Sequence, residues 1–273
     1  MADGATGWIG RVSHQRDRAE PSAFAALSDL LDHDAAPLDR MPPLGHWLRF
    51  LPGCRISQVG PDGHPERGGD LPPVDLPRRM WASGDIRFRA PVPLGASLDR
   101  ETTIAGLDLK EGRSGRLAFL TLDHRISADG TPAIEERQTI VYREAGGPSP
   151  APAQPRPVPV APWQRVIRPD PVLLFRFSAL TYNAHRIHYD RSYARDVEGY
   201  PDLVVHGPLV ATLLMDLYLR HARTCPARFT FRAMSPLFVG GDITLNGTPT
   251  DTGARLEAYG PGGTLAMAAE VLT

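Results

Sequence analysis

"HGPLVATLLMDLYLRHART", residues His206 to Thr224, decides the fold. Apolar side chains recur at Leu209, Val210, Leu213, Leu214 and Leu217, the spacing of one helical face, and Pro208 stands where a first helical turn tolerates a residue without an N–H. The segment reads as a buried helix of about four turns. After it come "ARFTFRAMSPLFV", "DITLNGTPTDTG", "ARLEAYGPGG" and "TLAMAAEVL", stretches of strand composition broken by turn glycines. A helix before an antiparallel run predicts a sheet wrapped around that helix, an α+β arrangement.

The same order occurs twice in the chain. "RFRAPVPLGASL" (Arg87 to Leu98) matches "TFRAMSPLFVGGDI" (Thr230 to Ile243), each with Phe-Arg-Ala, a proline and then a glycine before the next strand. The segment ending "TIVYRE" and the C-terminal "AMAAEVLT" close the two copies in the same way. Ordered matches of this kind indicate an internal duplication. "AGGPSPAPAQPRPVPV" (Ala145 to Val160) separates the copies, because alternating prolines fix the backbone and remove donors. The expected organisation is an N-terminal domain over 1–145, a Pro-rich linker over 146–160 and a C-terminal domain over 161–273. The N-terminal copy is rich in Pro and Gly where its partner has a clean helix, so it reads as degenerate and pocket-shaping, with a lid-like segment around "LPPVDLPRRMW".

Composition limits the function classes. With 273 residues and 42% hydrophobic content the chain can bury a large core. A net charge of -1 gives no bias toward nucleic acid or anionic lipid, and no apolar stretch approaches the roughly 20 residues that cross a bilayer. Cys54 and Cys225 are too few for a disulfide framework and match no zinc spacing. The N-terminal residues lack the apolar core of a signal peptide. The expectation is a cytoplasmic protein, with no nucleic acid or membrane partner and with a homo-oligomer left open.

The chemistry concentrates in "TYNAHRIHYD", Thr181 to Asp190. A metal reading would recruit His185 and His188 with Asp190 or His206, but neither an HExxH pattern nor a cysteine pair accompanies them, and no metal is expected. A catalytic reading draws on Gly207, which opens the buried helix at a point where backbone N–H groups lack intrahelical partners and the dipole favours negative charge. That arrangement suits a carbonyl gaining enolate character. A histidine can act as base toward water and an amide can hold that water in line. Together they point to addition of water across a double bond conjugated to a carbonyl. His206 reads as a structural donor, and Asp190 either as a helix cap or as the group that orients His188.

"NAHRIHYD" with "VVHGPL" downstream of it resembles the MaoC-like (R)-specific enoyl-CoA hydratases, whose motif runs Asp-x-Asn-Pro-x-His and then His-Gly at a helix start. The stretches "GHWLRFLP", "GPDGHPERGG", "LPPVDLPRRMWASG" and "FRFSALTYNAHRIHYD" resemble the type 2 hydroxyacyl-thioester dehydratase branch, which includes mesaconyl-CoA and itaconyl-CoA hydratases. The resemblance covers nearly the whole chain and implies a double hot-dog fold, two antiparallel sheets each wrapped around a helix. It places His188 on the catalytic histidine, Gly207 on the oxyanion glycine, and Asn183 where the family has its catalytic aspartate. An asparagine takes up no proton, so Asn183 is left to orient water, and one-base chemistry through His188 is the simplest expectation.

The implied reaction is reversible hydration of an enoyl-CoA, itaconyl-CoA or mesaconyl-CoA giving citramalyl-CoA, with no cofactor beyond the CoA of the substrate. A dicarboxylate substrate needs a cation for its far end. Arg186 is the first candidate, then Arg78 or Arg79; His185 belongs to the same substrate-binding set, and Trp47 and Trp81 are expected to wall the acyl pocket. The alternatives are a fatty-acid-type 3-hydroxyacyl-thioester dehydratase, an acyl-CoA thioesterase, which would release free thiol, and a non-catalytic acyl-CoA-binding protein.

Overall fold

The computed structural model describes residues 3–34, 39–112, 115–144, 156–222 and 224–273. The N-terminal half contains α1 (Asp3–Thr6), β1 (Val12–Arg18), α2 (Pro21–Leu30), β2 (Arg78–Phe88), β3 (Ser97–Gly112), β4 (Gly115–Ala128) and β5 (Thr131–Arg143). The C-terminal half contains β6 (Trp163–Ile167), α3 (Pro171–Thr181), α4 (Gly207–His221), β7 (Arg228–Ala233), β8 (Ile243–Thr250), β9 (Gly253–Tyr259) and β10 (Leu265–Leu272). Most of the expected linker, residues 146–155, lies outside the described residues. Arg156 to Val160 run without helix or strand, held by Arg156 N–H to the Gly262 carbonyl and by the Asn246 side-chain amide to the Pro159 carbonyl.

All ten strands join one sheet in the order β1-β3-β4-β5-β2-β7-β10-β9-β8-β6. Read from either outer edge, each half uses its first, third, fourth, fifth and second strand in turn, and the described ladders are all antiparallel. This is the double hot-dog arrangement, with the two sheets fused edge to edge through β2 and β7. The seam pairs Ser83 with Arg232 and continues to Arg87 with Arg228. Gly84 lies opposite Phe231, and a Cβ there would fall 2.4 Å from the ring. The absent side chain is therefore what lets an aromatic cross the seam. Asp85 clamps the same pair by accepting two bonds from the Arg228 guanidinium at 2.8 and 2.7 Å.

The 3.6-residue period of the C-terminal half is realised in α4, a 15-residue helix in which Leu209 through Tyr218 are all buried. Its buried acid, Asp216, is satisfied by Arg165 from β6 at 2.6 Å, Arg220 at 2.9 Å and His33 from beyond α2 at 2.6 Å. A carboxylate so paired can be buried without an unmet charge, and it ties α4 to both halves.

Among the described residues the N-terminal half has no counterpart of α4. In its place in chain order stand two short 3-10 turns, Gly45–Leu48 and Ile56–Gln58, and beyond them the Pro- and Gly-rich segment that leads into β2. The core of this half is accordingly divided. One cluster, holding Leu98, Ile126 and Ile134, continues into the main core, and a second gathers Ile104, Leu120, Leu122 and Tyr142. Along the strands between them lie Thr102, His124, Glu136 and Gln138. Each is satisfied: His46 and Trp47 donate to the Glu136 carboxylate at 3.0 and 3.1 Å, and His124 bonds Thr102 and Gln138 at 2.8 and 3.1 Å.

Because α4 carries the long apolar stripe of the C-terminal core, truncating Leu214, fully buried in that stripe, should cost about 2–5 kcal/mol. A urea titration of Leu214→Ala should show a lower midpoint at unchanged slope.

Candidate active site

Helix α3 is capped by Asp170, whose carboxylate accepts the Leu173 N–H at 2.8 Å, and is started by Pro171. It ends at Tyr182, whose left-handed backbone (φ 51°) turns the chain into Asn183 to His188. There the Asn183 Oδ1 accepts the His185 N–H at 3.0 Å, and a 3-10 turn, Arg186–His188, delivers His188 inward. His188 Nδ1 donates to the Val204 carbonyl at 2.7 Å. That bond fixes the tautomer: Nε2 is left as a proton acceptor.

Four imidazoles meet here. His188 stacks on His206 with ring centroids 3.6 Å apart, His185 meets His188 edge-on at 5.5 Å, and His64 lies 4.2 Å from His185. His206 is anchored behind the site by a 2.8 Å hydrogen bond with Ser178 on α3, which is the structural role expected of it. Burial holds His188 down to about 4, the Val204 bond offsetting part of the effect. Burial likewise pushes His185 and His206 well below the ordinary histidine value, and the neighbouring imidazoles add to the push. At neutral pH His188 is therefore an uncharged base.

Gly207 begins α4 beside this cluster. Among the described residues no backbone carbonyl accepts its N–H, as expected for a first helical residue. A Cβ on Gly207 would meet nothing closer than the Trp81 carbonyl at 3.7 Å, so the protein itself leaves that space open. The Trp81 ring belongs to an edge-to-face trio with Trp47 and Phe231, with Trp47 to Trp81 at 4.8 Å and Trp81 to Phe231 at 5.7 Å. Trp47 is held by Glu136, and Trp81 donates to the Ser83 carbonyl at 2.9 Å.

The other wall comes from the N-terminal half. Residues Pro61 to His64 dock on the 183–188 turn through the Arg186 N–H to the Asp62 carbonyl at 2.9 Å and the Arg186 guanidinium to the Pro61 carbonyl at 3.1 Å. Gly63 sits at φ +90°, and a Cβ there would lie 1.9 Å from the Ala184 carbonyl oxygen. The His64 Nδ1 donates to the Asp62 carboxylate at 3.0 Å. Burial alone would raise the Asp62 carboxyl, but its bonds and attraction to His64 carry it well below the usual carboxylate range. Asp62, His64 and His185 offer donor atoms within 4.8 Å of one another. Since Asp62 and His64 already spend facing atoms on each other, the arrangement is a hydrogen-bonded dyad beside an imidazole.

The profile of the hydroxyacyl-thioester dehydratase type 2 family matches residues 44–239. The chain belongs to that family. The mesaconyl-C(4)-CoA hydratase of Chloroflexus aurantiacus is 48% identical over 97% of this chain and 96% of its own length. HtdX of Mycobacterium tuberculosis superposes with a TM-score of 0.70 at 20% identity, covering 96% of this chain and 99% of that one. A second M. tuberculosis protein, described as having a double hotdog fold, covers 97% of this chain and 96% of its own at a TM-score of 0.54 and 15% identity. As a member of the family the chain is a hydro-lyase, acting on the carbon–oxygen bond of acyl thioesters.

His185 meets His188, whose ring stacks on that of His206 next to Gly207, while Trp47 packs on Trp81, whose carbonyl faces Gly207; the candidate arginines differ in their partners. Arg186 pairs with Asp190 at 2.7 Å and lies over the Tyr193 ring at 4.3 Å. Asp190 in turn caps the Tyr193 N–H at 3.0 Å and does not reach toward His188. Arg78 is held by Glu198 at 2.8 Å. Arg79 makes no ion pair among the described residues; it stands opposite Tyr142 and close enough to Asp62 and His64 to influence both. Sequence reasoning does not find Asp62 and His64 as site residues, although "GPDGHP" carries a turn signal and two titratable groups. No local spacing in the sequence joins them to a turn about 120 residues further on.

His188→Ala should lower kcat at least about 100-fold while leaving the fold intact. In the unaltered enzyme the acid limb of kcat/KM should fall near pH 4 rather than 6.5, since His188 takes a proton only there. A limb near 6.5 in a steady-state pH profile would remove His188 as the base. Gly63→Ala should undock the loop; about a 100-fold loss of kcat/KM is expected, with little change in the unfolding transition of the core.

Proposed function

We propose that this enzyme hydrates a C5 dicarboxylyl-CoA, with mesaconyl-C(4)-CoA as the preferred substrate and citramalyl-CoA as product. The observation that carries the reading is the state of Arg79: unlike Arg78 and Arg186 it makes no ion pair among the described residues, its side chain hydrogen-bonds Tyr142, and its charge acts on the Asp62–His64 pair that lies beside His185. An arginine so placed suits a free carboxylate on the carbon that receives the hydroxyl, the position it has in mesaconyl-C(4)-CoA. The near full-length similarity to the C. aurantiacus hydratase supports the same substrate.

The geometry supports a reaction in which the thioester oxygen lies on the Gly207 N–H, a bond that gains in strength as the oxygen acquires enolate charge. His188 Nε2 takes a proton from water while the water oxygen bonds to the β-carbon, an acid of the imidazole cluster protonates the α-carbon as the enolate collapses, and the proton held by His188 restores that acid, so that one H and one OH are added. Asn183 contributes by fixing the turn that presents His185 and His188. CoA enters as part of the substrate and no further cofactor is invoked. The cytoplasm is the proposed compartment, in keeping with two cysteines that stand free. No helix among the described residues is long and apolar enough to cross a membrane.

The test offers mesaconyl-C(4)-CoA, itaconyl-CoA and crotonyl-CoA side by side and tracks mass gain and free thiol together. Uptake of one water on the mesaconyl thioester without thiol release is expected. Water uptake confined to crotonyl-CoA would make the enzyme a fatty-acyl dehydratase, preference for itaconyl-CoA would shift the substrate within the class, and thiol release would make it a thioesterase. Arg79→Ala should cut kcat/KM on the dicarboxylyl thioester about 10- to 100-fold, the worth of a charge-assisted bond, and leave crotonyl-CoA turnover nearly unchanged.

A further inference from the structure

Asn183 stands where the family motif has a carboxylic acid, and its Oδ1 is spent on the His185 N–H. The nearest replacement comes from the other half of the chain. Asp62 and His64 form a carboxylate–imidazole pair at 3.0 Å, the His64 ring lies 4.2 Å from His185, and His185 in turn meets His188. The loop that carries the pair is fastened at Arg186 by two backbone carbonyls and needs a glycine at 63 to lie this close. The docked loop leaves His64 Nε2 as the nitrogen not used on Asp62, on a ring that lies against His185.

We propose that His64, held by Asp62, is a second catalytic residue that delivers the proton to the α-carbon in place of the carboxylic acid that Asn183 lacks. The inference rests on the hydratase reading. In the hydration direction His188 Nε2 takes a proton from water as the new carbon–oxygen bond forms and the carbon–carbon π bond breaks. His64, as its imidazolium, gives the Nε2 proton to the α-carbon and becomes neutral. The proton on His188 then returns to His64 by way of His185, so each turnover adds one H and one OH and leaves the enzyme unchanged.

The groups facing His64 are Asp62 and Arg67 on its own segment, Arg79 on β2, and His185 and His188 on the opposite turn. In the free enzyme burial lowers the His64 pKa; Asp62 opposes this, while Arg79 and Arg67 add to it. A substrate carboxylate paired with Arg79 cancels that cation's effect. Binding of a dicarboxylyl thioester therefore favours the protonated form of His64 in the complex that needs it.

The experiment compares His64→Gln, His64→Ala and Asp62→Asn with the unaltered enzyme in kcat–pH profiles on the preferred thioester, with thermal unfolding as the control. Expected are a kcat about 100-fold lower in His64→Gln with KM and unfolding temperature little changed, loss of the alkaline limb, and partial rescue of His64→Ala by added imidazole. In Asp62→Asn the alkaline limb should move to lower pH, since the imidazolium has lost its counter-charge. Retention of kcat and of the alkaline limb in His64→Gln would overturn the proposal. So would a loss that tracks a fallen unfolding temperature and resists imidazole, which would make the pair a fastening for the loop only. Activity of the unaltered enzyme that chelator abolishes and zinc restores would overturn it in favour of a bound cation. If the unaltered enzyme adds water to none of the thioesters, the hydratase reading falls first and this one with it.

Discussion

The pairing of β2 with β7 is the constraint on which the rest of the structure depends. By fusing two five-stranded halves into one sheet, it sets the N-terminal half's β2 against the start of α4, where the Trp81 carbonyl lies 3.7 Å from where a side chain on Gly207 would begin. Gly84 and the Asp85–Arg228 clamp keep the seam in register. A slip of one residue would turn every inward side chain of β2 outward, and Trp81 would leave the helix start. The halves thus act as one unit, and the site lies at their join.

Within that frame the dominant physical effect at the site is desolvation. His64, His185, His188 and His206 share one buried region, and each is pushed toward its neutral form first by burial. A cluster of imidazoles can be packed so closely because none needs to be charged in the resting state. Below pH 6.5 the unfolded chain takes up protons that the folded one refuses, so the cluster favours unfolding as the pH falls from there. The same burial supplies a base that is uncharged at neutral pH and an environment where a single backbone N–H and a single guanidinium act strongly on a developing or resident anion.

Much of this was legible in the sequence. The period of Leu209 to Leu217 pointed to α4, and the repeated Phe-Arg-Ala stretches to the duplication. His188 and Gly207 came from a motif whose spacing reflects one local unit, a turn and then a helix start. The partners of the three candidate arginines were not legible in the same way. Arg186 lies inside the motif, but Asp190 lies four residues on, where a one-turn ion pair is the ordinary outcome. Arg79 and the Asp62–His64 pair reach the site only through strand pairing and loop docking across about a hundred residues or more, and sequence periodicity carries no information on such contacts.

The missing helix of the N-terminal half is the feature that lets these distant groups arrive. A second long helix would fill the concave face of β2 to β5 with apolar side chains, as α4 fills its own. With only two short 3-10 turns in that segment, polar groups enter this half, Glu136 holding both His46 and Trp47. The Pro- and Gly-rich segment released from helical duty is free to run across the seam and set Asp62 and His64 on the catalytic turn.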